Sequence, residues 1–469
     1  MKKISLIFAA LVVVSTSTFA GGLLTNTNQN VAFLRNPARD AAIGIDGVYT
    51  NPAGVAFLQQ GFHLSLNWQA AMQKREMTST FLPYLKNANG PALNKKFVGE
   101  AKAPVIPSVQ AAYVINDKWS VSAQFAVGGG GGKCEFEDGI PMFEKLIGGQ
   151  IANGKPYTLN QSLIGEQYFY GLQVGATYKI TDNIAVFGGV RGVLANCSYK
   201  GSINGISVDG NTSESLTAMA NSLSQQLANL QSVGGDAATI AALQAGITTA
   251  KTNAVALSDY TLDCKQSAVG VTPIVGIHAN FGKLSLAAKY EFKTNIELEN
   301  ESNNSMNLTA MAATVPAVSV YADGAKVDSD IPAIATFGAQ YAFTPSVRAS
   351  AGFHYYFDKD CEGSATDVTY NTWEALVGAE WDINSKVTVS GGVQRTQYGF
   401  RDGDLTDTNF NINSYGLCLG AAVRLNDMLK FNVGYMHSFY DSHTVENAYG
   451  FDKYTRKNDV VGVGVDLTF

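Results

Sequence analysis

A period of two constrains this chain more than any other feature. Segments of about ten residues carry apolar side chains at every second position, which is the pattern of a half-buried β-strand. Trp373, Ala375, Val377, Ala379 and Trp381 share one face of such a segment. Glu374, Gly378, Glu380 and Asp382 share the other, with Leu376 as the exception. Leu284, Leu286, Ala288, Tyr290 and Phe292 alternate with Ser285, Ala287, Lys289, Glu291 and Lys293. The pattern returns at Leu429, Phe431, Val433 and Tyr435, and at Val461, Val463, Val465, Leu467 and Phe469.

A soluble sandwich also alternates, but three observations favour a membrane barrel. Aromatics (Trp119, Phe125, Tyr341, Phe343, Phe353, Tyr355, Trp373, Trp381) stand near the ends of the apolar faces, as interfacial girdles do. The opposite faces are rich in Gly, Ser, Asn and charge, which suits a polar lumen. Connection lengths alternate as well. Short turns at 115–118, 181–183, 281–283, 343–346, 382–385 and 425–428 lie between long polar connections at roughly 76–103, 128–164, 199–259, 298–330, 358–370, 398–411 and 441–457. Six short turns and seven long loops need fourteen strands. The predicted fold is all-β: a transmembrane antiparallel barrel of about 14 strands. Charged residues make up 15% of the chain, against about 25% in soluble proteins. Mean hydropathy is +0.01, as expected when a lipid face and a lumen face average out. Lys and Arg (33) are fewer than Asp and Glu (39), which argues against nucleic acid as a partner. No run of about 20 apolar residues suggests a membrane helix.

Residues 1–20 read as a secretory signal. Lys2 and Lys3 precede an apolar run from Ile4 to Val14, and small residues lead to Ala20, where cleavage is expected. Loss of the two lysines makes the net charge of −6 more acidic by two. Residues 21–60 contain Asn36-Pro37 and Asn51-Pro52, and proline removes a ladder donor, so this is poor strand material. A barrel of about fourteen strands is too wide for side chains alone to fill. The segment 21–60 is therefore expected to plug the lumen as a hatch, with residues 61–469 forming the barrel.

In the order of its motifs the chain resembles the FadL-type outer-membrane transporters of long-chain fatty acids and other hydrophobic compounds. Asn51, Pro52 and Ala53 stand at the place of that family's hatch motif. Leu286–Lys293 resembles its seventh strand, Ile331-Pro332-Ala333 the entry to the eighth, and Tyr415–Asp427 the twelfth strand and its turn. The resemblance implies outer-membrane uptake without an enzyme activity or cofactor. Extracellular loops would capture the ligand, a site above the hatch would bind it, and a path beside the third strand would release it into the membrane. It also implies a monomer whose partners are a hydrophobic small molecule, outer-membrane lipid and the barrel-assembly machinery. Long-chain fatty acids come first as ligand. Aromatic or other hydrocarbons, a general diffusion porin and a surface barrel without transport are the alternatives.

Several residues are candidates within that scheme. In the loop 199–259, Leu216, Met219, Leu223, Leu227 and Leu230 recur at helical spacing, followed by Ile240, Leu243 and Ile247. The two helices either bury these stripes on each other or present them, with Met142, Phe143 and Leu146, as a capture site. Arg191, Lys289 and Lys293 point into the lumen by parity. There they either hold a carboxylate head group or pair with lumen acids such as Glu291. Gly128–Gly132 before Lys133-Cys134 fails the phosphate-loop pattern at Val127 and Cys134. It reads as a flexible loop, a bend, or part of the lateral opening. Cys197 and Cys264 flank the 199–259 loop on adjacent strands and form a possible disulfide. No Cys or His clusters at metal-ligand spacing, and no Ser/His/acid constellation is visible among the five histidines.

Overall fold

Alternation over such lengths yields long strands, and the computed structural model shows them. It describes residues 22–312, 316–363, 367–401, 405–447 and 450–469; the signal segment 1–20 lies outside the described residues. Among the described residues, sixteen of eighteen hydrogen-bonded segments make up fourteen antiparallel staves in chain order, and the other two, Asn211–Thr212 and His443–Asn447, are short additions at the ends of the fifth and fourteenth. They are β1 (Gly61–Thr80), β2 (Asn94–Val114), β3 (Trp119–Phe136), β4 (Tyr157–Thr181), β5 (Ile184–Val208) and β6 (Tyr260–Asn280). β7 is Leu284–Glu291 continued by Glu297–Ser302, and β8 is Lys326–Asp328 continued by Ile334–Ala342. The rest are β9 (Val347–Tyr356), β10 (Trp373–Asp382), β11 (Val387–Gln397), β12 (Ser414–Arg424), β13 (Leu429–Tyr440) and β14 (Gly450–Thr468). β14 pairs with β1 from Ser79↔Asp452 to His63↔Thr468, and this closes the barrel. Closure leaves no sheet edge, the condition for strands to cross a bilayer.

The outward faces are apolar and exposed. Leu66, Trp68, Phe125, Leu172, Val190, Phe337, Val377, Val433 and Val463 belong to a band far larger than a soluble surface carries. The six short turns fall where expected. The strands reach further into the long connections than alternation suggests: β1 runs to Thr80, β3 to Phe136 and β5 to Val208. Beyond the lipid band the outer face turns polar while the inner face carries buried residues such as Met77, Phe136 and Tyr199, so the lipid-facing signal fades while the ladder continues. Lys74, Glu76 and Lys96, for example, pair on the outer face of β1 and β2.

The segment from residue 22 to 57 is buried inside the barrel almost throughout. It holds two short helices, α1 (Val31–Arg35) and α2 (Gly47–Thr50), and a 3₁₀ turn at Pro52–Phe57. Asn30 caps α1 through its side chain. One glycine on each of seven consecutive staves makes its seat: Gly338, Gly352, Gly378, Gly392, Gly420, Gly434 and Gly462. Gly338 faces Gly352, Gly378 faces Gly392, and Gly420, Gly434 and Gly462 face in turn. Without Cβ atoms the wall lets the hatch backbone approach closely. Leu376, the apolar exception on the lumen face of β10, is 1% exposed and packs with Phe33, Leu34 and Ala38 of the hatch.

A Cβ at Gly434 would stand 2.7 Å from Leu34 Cβ and 3.0 Å from Val31 O. Gly434→Val is therefore expected to loosen hatch seating by about 1–3 kcal/mol through overpacking, with the barrel intact. Trypsin should then cut at Arg35 or Arg39 in folded protein. Wild-type resistance at both sites would show that close approach does not hold the hatch.

Candidate functional site

The wall opens between β2 and β3. The two strands pair as far as Lys102↔Lys133 and not again until Ser108↔Ala126. On β2 the interval is Ala103-Pro104-Val105-Ile106-Pro107, whose two prolines lack a donor. On β3 it holds the glycine run. Those glycines are part of the strand, not a loop. Gly130 (φ 63°) and Gly131 (φ 108°) adopt the left-handed region, and the register against β4 shifts at Val127/Gly129 and Gly130/Gly132.

The hatch fills this interruption from inside. Asn26 N–H donates to Gly128 O (2.8 Å), and Asn26 Nδ2 donates to Gly130 O (2.9 Å). Ser108 Oγ donates to Gln29 O (2.6 Å). Gly129 lies so close to Leu24 O that any Cβ there would overlap it. Behind the interruption is a lumen cavity of about 20 Å³, room for roughly one water. Thr25, Gly128, Phe169, Val193, Thr272 and Phe292 are among its lining residues.

Arg191 and Glu291 line the same cavity and anchor the hatch. Glu291 accepts from Arg191 (2.6 Å) and from Lys289 (2.6 Å). Lys289 also donates to Tyr49 O at 2.8 Å and stands over the Tyr49 ring at 4.2 Å. Lys293 is half-buried and pairs with Asp330 (2.9 Å). The pairing alternative thus describes all three cations. A second set of ions holds α1 and the chain after it. Arg39 bonds Asp46 (2.7 Å) and Glu380 (3.0 Å), and Arg348 reaches the other Glu380 oxygen (2.7 Å). His354 bridges Asp40 and Glu374 at 2.9 Å each. Glu380 of β10 anchors the hatch directly and Glu374 does so through His354, a role that one strand's pattern does not reveal.

Asn51, Pro52 and Ala53 form the foot of the hatch. Asn51 hydrogen-bonds His278 on β6, Pro52 O accepts from Thr177 Oγ1 (2.9 Å), and Ala53 packs with Phe187 and Ile274. Phe143 and Leu146 are buried at the extracellular end, together with Phe81, Tyr84, Phe136, Tyr157 and Leu24 of the hatch. Half-buried Met142 packs against them. They sit on α3 (Pro141–Lys145) and the π-helical turn that follows it. Here they form a closed cap.

The loop 199–259 folds into α4 (Ser213–Ser232) and α5 (Ala237–Ala256). Leu223 and Leu227 are half-buried, and Leu223 lies next to the position of Gly246 on α5. The helices pack on each other, while the bases of the hairpin, Leu216 and Ala254, reach the cap cluster. The disulfide does not form. Cys197 and Cys264 are free thiols, because the register sets Cys197 opposite Gln266 and Cys264 opposite Tyr199. The residues that sequence reasoning missed are Asn26, Gln29, Thr272 and Thr294. Their signal is indirect: Pro104 and Pro107 in β2, and Pro273 in β6.

No protein-family model matches the chain, and no curated protein sequence matches it. Solved structures do. A Pseudomonas aeruginosa FadL homologue matches with a TM-score of 0.64 and 14% identity, over 96% of this chain and 100% of that one. The chain has the FadL-type barrel fold. The Pseudomonas putida toluene transporter TodX matches with a TM-score of 0.55 and 14% identity, over 91% and 94% of the two chains. The Ralstonia pickettii toluene transporter TbuX matches at 0.51 and 15%, over 92% and 98%.

Two outcomes test the account of hatch and cap. Glu291→Gln leaves the buried Arg191 and Lys289 without their shared carboxylate, which costs about 3–5 kcal/mol. Hydrogen exchange across residues 45–54 should rise, and adding Lys289→Met should restore much of the protection. Unchanged exchange in Glu291→Gln would remove the cluster from the hatch's support. In the cap, Asp407 accepts from Met142 N–H (2.7 Å) and Tyr454 Oη (2.9 Å). Burial, and next to it the Asp452 charge, push the Asp407 carboxyl up from 3.8 to about 6 against the pull of Lys145. A raised carboxyl favours the neutral form in the fold. Its contribution is complete below about pH 4 and is lost as pH rises through about 6. Exchange at residues 141–147, corrected for intrinsic rate, should be faster at pH 7.5 than at pH 5, and Asp407→Asn should flatten the difference. The same ratio in that variant would exclude Asp407 as the cause.

Proposed function

We propose that the protein carries small hydrophobic molecules across an outer membrane by lateral movement between lumen and bilayer. The interrupted β2–β3 ladder beside an internal cavity is the observation that carries this reading. In hydrocarbon an unpaired backbone group costs several kcal/mol. A wall break filled by the hatch through hydrogen bonds alone is therefore a door held shut by that segment. A water-filled pore is a poor route for an apolar molecule, and the buried hatch argues against a general diffusion porin. The related toluene transporters share the fold, which supports the reading without fixing a substrate.

The resemblance puts long-chain fatty acids first, but the lumen chemistry favours a neutral ligand. Arg191 and Lys289 share Glu291, and Lys293 pairs with Asp330. A carboxylate head group entering the cavity would have to break one of these buried pairs. Uncharged molecules of the size of a single aromatic ring are the preferred class. Fatty acids are the second reading, favoured by the extended apolar cap around Phe143 and Leu146. Cells lacking other channels for these compounds should gain uptake of radiolabelled toluene when they express the chain, by about tenfold over cells with an empty vector, and gain less for oleate. Equal gain for both would return fatty acids to the first place. A large steady conductance in planar bilayers, with no gain for either, would sink the transporter reading in favour of a porin.

A further inference from the structure

The barrel wall is interrupted a second time, between β6 and β7. These strands pair up to Ser267↔Glu299 on the extracellular side and from Ile274↔Glu291 on the other. Between them, residues 268–273 of β6 stand opposite 292–298 without ladder pairs. What joins them is Phe292 N–H to Pro273 O (3.0 Å) and a contact between the Thr272 and Thr294 hydroxyls. β7 is not loose here, because its other side holds. Thr294 bridges to Ile331, and Ser329 N–H donates to Ile296 O (2.8 Å). A Cβ at Gly270 would lie 2.5 Å from Thr294 Cγ2 and from Ile296 Cδ1.

This interruption lies on the same row of the wall as the first. Val127 of β3 faces Tyr170 of β4, Tyr170 faces Leu194 of β5, and Leu194 faces Val269 of β6. The small lumen cavity is bordered from both sides, by Gly128 and by Thr272, Phe292 and Thr294. Outside, Val269 is 74% and Val271 60% exposed on the lipid face. Phe292 lines the cavity and is also 45% exposed, with its ring edge-on to Tyr290 at 4.9 Å, so the residue borders both lumen and lipid.

We propose that the β6–β7 interruption is a second lateral portal, which admits a small, uncharged, lipid-soluble molecule between the outer leaflet and the lumen cavity, with Phe292 as its door. The proposal rests on the transport reading for its direction of use, not for its existence. Opening it breaks one backbone hydrogen bond and the Thr272–Thr294 contact, and an apolar molecule takes the place of Phe292 in the wall. Two portals on one cavity would let a molecule enter and leave through the bilayer without crossing the hatch or the cap.

The test uses full-length protein in phospholipid vesicles, with trifluoromethyl-phenyldiazirine dissolved in the bilayer as a photoreactive probe. Labelling of cavity residues Phe169 and Val193 is read by mass spectrometry. A Gly270→Cys, Thr294→Cys pair is positioned to lock the portal as a disulfide. Oxidation should cut labelling about fivefold, and reduction should restore it. Phe292→Ala, which needs no cross-link, should raise labelling about threefold. Equal labelling of oxidised and reduced protein, with Phe292→Ala like wild type, overturns the portal. Toluene uptake by intact cells, measured alongside, judges the transport reading separately. Lock-dependent labelling without uptake keeps the portal and drops transport. Uptake with lock-independent labelling does the reverse.

Discussion

Everything in this barrel depends on the absence of water beside its wall. In lipid a strand's backbone groups must pair with neighbouring strands. The staves are therefore long and the ring is closed from β14 to β1. Any irregularity in the ladder then needs a substitute partner from within. At β2–β3 that substitute is Asn26, whose backbone and side chain take the place of a strand. The hatch is thus more than a stopper in the lumen. It completes the wall, and a movement of the hatch is at the same time a change in what the wall exposes.

The same shortage of water shapes the lumen charges. Buried ions must be paired, and several here are paired across the hatch–wall boundary. Arg39 reaches Glu380, Asp40 reaches His354, and Lys289 reaches Tyr49 O. Pairs of this kind contribute little net stability relative to apolar packing, but breaking one partner away is costly. They fix where the hatch sits more than how tightly the barrel folds. The glycine belt beneath α1 supplies the closeness that makes such short contacts geometrically available.

Much of the architecture was legible in sequence, because a strand's two faces meet different solvents and alternation records this directly. The fourteen strands and the six short turns follow from it, and so does the poor strand quality of the segment up to residue 60. What stayed hidden is relational. A ladder break depends on what two strands do together, so Pro104 and Gly128–Gly132 gave no more than half a signal each. Parity correctly aimed Arg191 and Lys289 inward, but it could not say that Glu291 would take both. Parity also put Cys197 and Cys264 on the same side of the wall, whereas bonding depends on register, which sets them two residues out of step. Leu376 looked like an error in the pattern until the hatch provided its neighbours.

The row of glycines has a consequence for how the molecule is made. Each of the staves β8 to β14 contributes one, and together they form a smooth track only when all seven strands are in step. A slip of one residue in any pair would turn a glycine outward and bring a side chain in. A slip of two would move it off the row. The N-terminal segment can seat fully only on a correctly assembled half-barrel, so its docking acts as a gauge of register in addition to the alternation of the strands and their short turns.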